Sequence, residues 1–309
     1  MRAPLAQNAI GGLTGLTPIL APARSFNNKR GRRVPKGIPG GRFLIPSHPM
    51  RQSAIQEGNR MSMNMLPRRG LLAFAFILAV HPMAFATWSI LAVDASTGQI
   101  VVASATCLQQ AVFPRLGAKD LRDIQAVVVP GKGAAVCQAA IDTTRKNQQT
   151  VLAELGKGTD PVKILDLLKA QDAAVEGRQF GILDLQGRSI GFSGKANQAT
   201  ALSESGSVGA NIHYQMQGNI LASDAVIHDA ARAFSRTAGT LADRVMAAME
   251  AADAKGGDKR CTDGRTAFVA YLLIVEKSGK ETYISVTDVD YANPITGLRA
   301  KYGKGESRD

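Results

Sequence analysis

A threonine stands where an export signal ends. Ala84-Phe85-Ala86 has the small-x-small pattern of a signal-peptidase site, and the next residue, Thr87, opens the strand-like run Thr-Trp-Ser-Ile-Leu-Ala-Val-Asp. Cutting there leaves Thr87 with a free α-amine, so a single residue supplies a hydroxyl nucleophile and a base that titrates near pH ~8. The hydroxyl can then attack an amide or related acyl carbon, its proton passing to the amine directly or through a water. An acyl ester forms, and a second water releases it.

Such a reaction needs hydrogen-bond donors close to the developing oxyanion. Asn219, in Gln217-Gly218-Asn219-Ile220-Leu221, and Asn211 are the candidates, because each places an amide side chain near a glycine that lets backbone approach closely. Two more candidates come from a hairpin. Thr87–Val93 and Gln99–Thr106 read as strands joined by Asp94-Ala95-Ser96-Thr97-Gly98, and if Asp94 faces Gln99, Thr87 lies opposite Thr106 and Ser89 opposite Ser104. Thr106 and Ser104 then share a face with the nucleophile, whereas a one-residue bulge would remove them. Each candidate also has a plainer role. Threonine is a good strand former, Asn219 can open a turn or helix, and Asp258 with Arg260 can form a structural ion pair. His213 can serve as a base, although Tyr214 beside it suits a surface or wall position. Lys132, between glycines, reads as a solvated turn lysine.

The elements that must position these residues follow in order. Strands at Ile124–Val129 and Gly133–Gln138 flank Pro130-Gly131-Lys132-Gly133, and helices are expected over Ala139–Leu155 and after Asp160-Pro161. Strands return at Gln179–Leu185 and Arg188–Ser193, with a shorter piece at Ser207–Ala210. Helices over Ala225–Phe234 and Leu241–Ala254 follow, the first capped by Ser223 and the second ending at Gly256-Gly257. Strands Thr266–Val275 and Glu281–Thr287 come last. The runs Ala126–Val129 and Ala267–Val275 are almost wholly apolar, which suggests sheets buried on both faces. A single α+β domain of four layers, αββα, meets that need.

Arg68-Arg69, the apolar stretch Leu71–Val80 and the cleavage site make residues 61–86 a signal peptide, too short to span a ~30 Å bilayer core. Twin arginines also fit folded-state export, though the ordinary route is favoured. Residues 1–60 hold seven of the chain's 13 prolines and one acid, Glu57, a composition that reads as disordered and as a possible mis-assigned start before Met61, Met63 or Met65. Residues 1–86 carry 12 of the 37 Lys and Arg but 1 of the 25 acids, so the net charge of +12 belongs almost entirely to the leader. From Thr87 on the charges balance, which removes the case for a nucleic-acid or anionic-membrane partner. The tail from about residue 300 reads as disordered. The processed protein is expected in the periplasm or medium. In an oxidising compartment two of Cys107, Cys137 and Cys261 can pair, with Cys107 and Cys137 favoured because both end apolar runs. With no Cys-x-x-Cys, no His cluster and no phosphate-binding glycine motif, no metal or other cofactor is expected.

The hairpin Thr-Trp-Ser-Ile-Leu-Ala-Val-Asp…Thr-Gly, the block Gln217-Gly218-Asn219-Ile220-Leu221, and Gly256-Gly257-Asp258-Lys259-Arg260 before a last strand together resemble the bacterial domain of unknown function 1028 family. The resemblance runs from residue 87 to about 290. It implies membership of the N-terminal-nucleophile (Ntn) hydrolases, relatives of penicillin acylases, aspartylglucosaminidases and proteasome subunits, and the same αββα sandwich. Members commonly begin at this strand directly after the initiator methionine, whereas here signal cleavage must expose Thr87. The expectation is an exported amidohydrolase acting on a small-molecule or peptide amide, with a homodimer through sheet edges plausible. A non-catalytic exported binding module on the same fold is the alternative.

Overall fold

The computed structural model describes residues 87–197 and 200–305. The expected residues 1–60, the signal peptide and the end of the tail lie outside the described residues. The chain opens with the hairpin β1 (Thr87–Asp94) and β2 (Gln99–Thr106), whose turn is fixed by the Asp94 carboxylate accepting from Ser96 N–H at 2.9 Å. Then come a short helix α1 (Leu121–Gln125), β3 (Ala126–Val129) and β4 (Gly133–Ala139). Helices α2 (Lys146–Lys157) and α3 (Pro161–Gln171) lead to β5 (Arg178–Asp184), β6 (Ser189–Ser193), β7 (Leu202–Val208) and β8 (Ile212–Asn219). The last elements are α4 (Ala225–Arg236), α5 (Leu241–Ala254), β9 (Val269–Val275), β10 (Glu281–Thr287) and α6 (Pro294–Gly303).

Two wholly antiparallel sheets result, one in the order β10-β9-β2-β1-β8-β7 and one in the order β3-β4-β5-β6. This is a mixed α+β domain. Trp88, Ile90, Val101, Ala103 and Met216 of the large sheet pack with Phe234, Met246 and Met249 of α4 and α5. Ala135, Phe180 and Ile182 of the small sheet pack with Val151, Leu155, Ile164 and Leu168 of α2 and α3. The faces left over meet each other, through Leu91, Val93, Ile100, Val102 and Leu273 on one side and Ala134, Val136 and Leu183 on the other. Strand side chains alternate between faces. Thr87, Ser89, Ser104 and Thr106 therefore continue the same inward face of β1 and β2 as Leu91, Val93, Val102 and Ile100. The layer between the sheets is thus apolar toward one end and polar toward the other.

Several expectations need correction. The expected helix Ala139–Leu155 begins only at Lys146, because Ala139 closes β4 with φ +71° and the Asp142 carboxylate accepts from the N–H of Thr144 and Asn147 ahead of the first turn. Ser223 is not the cap of α4; Asp224 holds that place. The piece near Ser207 is the end of β7, and the whole of β8 was unanticipated. Helix α6 carries ordered chain to Gly303, beyond the expected start of the tail; Asn293 caps it by accepting from the N–H of Ile295 and Thr296. The disulfide joins Cys107 to Cys261, with Cα atoms 5.3 Å apart, and not to Cys137. Cys137 lies on the other sheet, with its side chain packed toward α2 and α3.

Candidate active site

Thr87 sits at the end of a central strand. Its cross-strand neighbours are Thr106 on β2 and Asn219 on β8, and all three are buried. The hairpin register is the expected one, Thr87 with Thr106 and Ser89 with Ser104. The Thr87 hydroxyl donates to Thr106 Oγ1 at 3.3 Å, and Thr106 Oγ1 also accepts from Leu108 N–H at 3.3 Å. Asn211 is not brought to the site. It lies exposed in the turn ahead of β8, at the opposite end of an eight-residue strand, where its carbonyl accepts from Ala95 N–H. His213 is also at that far end, its ring bonded to Ser207. His228 pairs with Glu204 on the surface. Lys132 occupies an exposed turn.

Around Thr87 runs a network of buried side-chain amides that the sequence reading missed. Gln138 of β4 donates through Nε2 to the Thr87 carbonyl at 3.2 Å and to Gln179 Oε1 at 2.6 Å. Gln179 of β5 donates to the Gly218 carbonyl at 2.8 Å and to Ser193 Oγ at 2.7 Å. Backbone carbonyls only accept, so they fix which way both amides point. Gln138 Oε1 then accepts from the Ser89 hydroxyl, and the Ser104 hydroxyl donates to the Trp88 carbonyl at 2.8 Å. With both serine protons committed, Gln125 of α1 can meet these serines only as a donor, which it does at 3.1 and 2.9 Å. The signal that could have found these residues is a glutamine at an inward position of an otherwise apolar strand.

Every side chain just named is neutral. Asp258 and Arg260 form an ion pair at 2.9 Å, as the sequence reading allowed. Asp258 also accepts from Cys107 N–H at 2.8 Å, directly after Thr106. Its neighbours Gly257 and Lys259 bond to Ala222 and Ile220, just after Asn219. Burial pushes the Asp258 carboxyl above its usual range, although the Arg260 guanidinium and the backbone N–H groups pull it back. Burial drives the Cys137 thiol up to about 12, so it stays protonated and is no nucleophile at neutral pH.

Two residues flanking the site hold unusual backbone. Ala139 follows Gln138 with φ +71°, and Ile220 follows Asn219 with φ +52°, a left-handed conformation that a β-branched side chain rarely adopts. Strain of this kind persists where the surroundings over-determine it. Among the described residues no group of three or more His, Cys, Asp or Glu is placed to hold a metal ion, and no helix is long and apolar enough to cross a membrane.

The model of the family of unknown function DUF1028 matches residues 87–298, the span that begins at Thr87 and takes in all the residues above. The chain belongs to the DUF1028 family. Among solved structures it is similar to protein SPO2555 from Silicibacter pomeroyi, of the same family, at 25% identity and a TM-score of 0.58, over 72% of this chain and 88% of that one. No protein of curated function matches. The part of this DUF1028 chain that matches the family therefore starts at the candidate nucleophile.

Proposed function

We propose that the chain is an exported Ntn hydrolase that cleaves an amide or related acyl bond with Thr87 as nucleophile. The observation that carries this reading is the position of Thr87 at the polar end of the layer between the sheets, flanked by Thr106 and Asn219. Two sheets packed face to face, with helices on their outer sides, agree with the αββα arrangement of that superfamily. The Cys107–Cys261 disulfide suits an oxidising compartment and so supports export. In the reaction Thr87 Oγ1 attacks the acyl carbon and its proton passes to the Thr87 α-amine. The amine then protonates the departing nitrogen, and water cleaves the ester. Thr106 accepts from the hydroxyl in the resting state, and Asn219 supplies an oxyanion donor. The substrate is a small-molecule or peptide amide, and a homodimer through a sheet edge is part of the proposal.

The full precursor is expressed with its leader, and the exported product is characterised by intact mass and terminal sequencing. A start at Thr87, with hydrolysis of a member of an amide panel that Thr87→Ala abolishes while remaining folded, is the expected result. A start elsewhere removes the base and sinks the mechanism. One observation favours a second reading, a binding module without turnover: Thr87 is only 2% exposed. That reading requires a ligand whose affinity is unchanged in Thr87→Ala and no hydrolysis of any amide.

A further inference from the structure

Among the three glutamines Gln125, Gln138 and Gln179, the described residues leave one amide atom without a partner. Gln138 and Gln179 have both N–H bonds and their oxygen engaged, and Gln125 spends both of its N–H bonds on Ser89 and Ser104. Gln125 Oε1, on a side chain 1% exposed, has no partner among the described residues. A buried acceptor left without a donor is costly, so a group that brings an N–H or O–H to it binds with that cost relieved. Gln125 holds this orientation by donating to Ser89 and Ser104, whose hydroxyls also lie 3.1 Å from each other. Gln125 also lines the recessed cavity that contains Thr87, about 10 Å³ and so the size of one water, together with Leu121, Ile124, Cys137 and Gln138.

We propose that this cavity widens to hold the acyl half of the substrate and selects a short acyl group carrying a hydroxyl or amino donor, which Gln125 Oε1 accepts. The proposal rests on the nucleophile reading. The leaving amine must depart before water enters, whereas the acyl half stays bonded to Thr87 and so belongs to the recessed side. Leu108, Leu121, Ile124 and Ile141 take the carbon chain, and Gln125 Oε1 reads the polar end. A site built around a hydrogen bond rejects a ligand that lacks the donor far more strongly than an apolar pocket rejects one methyl group.

The test compares glycolamide with propionamide, near-isosteres in which a hydroxyl replaces a methyl at the acyl end. Binding to the exported protein is followed by ligand-observed NMR, which needs no turnover. Glycolamide is expected to bind about tenfold tighter, a difference of ~1.4 kcal/mol, and Gln125→Met is expected to erase that preference. Equal affinities, the outcome if water supplies the donor, overturn the proposal. So does a failure of both to bind, or a preference that survives Gln125→Met. If that variant does not fold, the pair of affinities in the unmodified protein decides alone. The preference should persist in Thr87→Ala. A lack of hydrolysis by the unmodified protein would count against the nucleophile and not against the pocket.

Discussion

Thr87 is surrounded by groups that do not titrate, and this makes its chemistry readable by pH. Thr106, Ser89, Ser104, Gln138 and Asn219 can orient and donate, but none can take a proton at neutral pH, so in the proposed mechanism the base is the α-amine of Thr87. That amine works only when neutral, and burial disfavours its charged form, moving it down from ~8. The value of kcat/KM should therefore rise with pH along one ascending limb with an apparent pKa below ~8, and acetylation of the N-terminus should abolish activity. A profile governed by a carboxyl that burial holds above the usual carboxylate range would point instead to Asp258 as the base. Asn219 offers a second check. If its amide donates to the oxyanion, Asn219→Ala lowers kcat by ~10²–10³-fold with a smaller change in KM, the usual cost of one such donor. A loss confined to thermal stability would make Asn219 a structural neighbour only.

At the scale of elements, the hairpin was legible because its turn fixes its register. Asp94 and Gly98 set the loop, and every opposed pair back to Thr87 with Thr106 follows without further information. Strand β8 was not legible, for a physical reason. Its run Ile-His-Tyr-Gln-Met-Gln-Gly-Asn buries Tyr214 and Met216 against α4 and α5, while Gln215, Gln217 and Asn219 are buried on the opposite face. A pattern that equates polar with exposed cannot recognise a strand buried on both sides, one of them amide-rich, and the same blindness hid Gln125, Gln138 and Gln179. Helix α2 was misplaced because its start depends on the distant Asp172, whose carboxylate accepts from Asn147 Nδ2 at 2.6 Å and from Arg178 Nε at 2.8 Å, tying α2 to β5. Burial raises the Asp172 carboxyl, but these bonds and the N–H of Ala174 outweigh burial and hold it below its usual range. A carboxyl depressed in the folded state adds stability that is present above its unfolded pKa of ~3.9 and is lost as pH falls through the folded value. Asp172→Asn should therefore lower the urea midpoint at pH 7 and flatten its decline below pH ~4. The slope will not vanish, because Asp94, Asp142 and Asp243 are depressed as well. An unchanged acid slope would show that Asp172 is not coupled to folding.

The whole molecule is closed by one covalent link, and that link lies beside the site. Cys107 and Cys261 are 154 residues apart in sequence, so their bond restricts the unfolded chain strongly, by ~5 kcal/mol in the chain-entropy account. For a domain of this size each kcal/mol moves Tm by about 2–4 °C, and reduction should lower Tm by ~10–20 °C. Thiol counting checks the pairing. Denatured, unreduced protein should react at one cysteine, Cys137, and reduced protein at all three. Cys107 follows Thr106 directly, and Cys261 follows the Asp258–Arg260 pair that holds Cys107 N–H, so the bond pins this ion pair to the end of β2 that faces the nucleophile. Reduction should for that reason depress activity at temperatures where the fold is still intact. The paired variant Cys107→Ser/Cys261→Ser should reproduce both effects, while Cys137→Ser, which breaks no disulfide, should shift Tm only slightly. If activity survives reduction up to the lowered Tm, the disulfide serves the fold alone; if activity falls first, covalent closure of the domain also sets the geometry at Thr87.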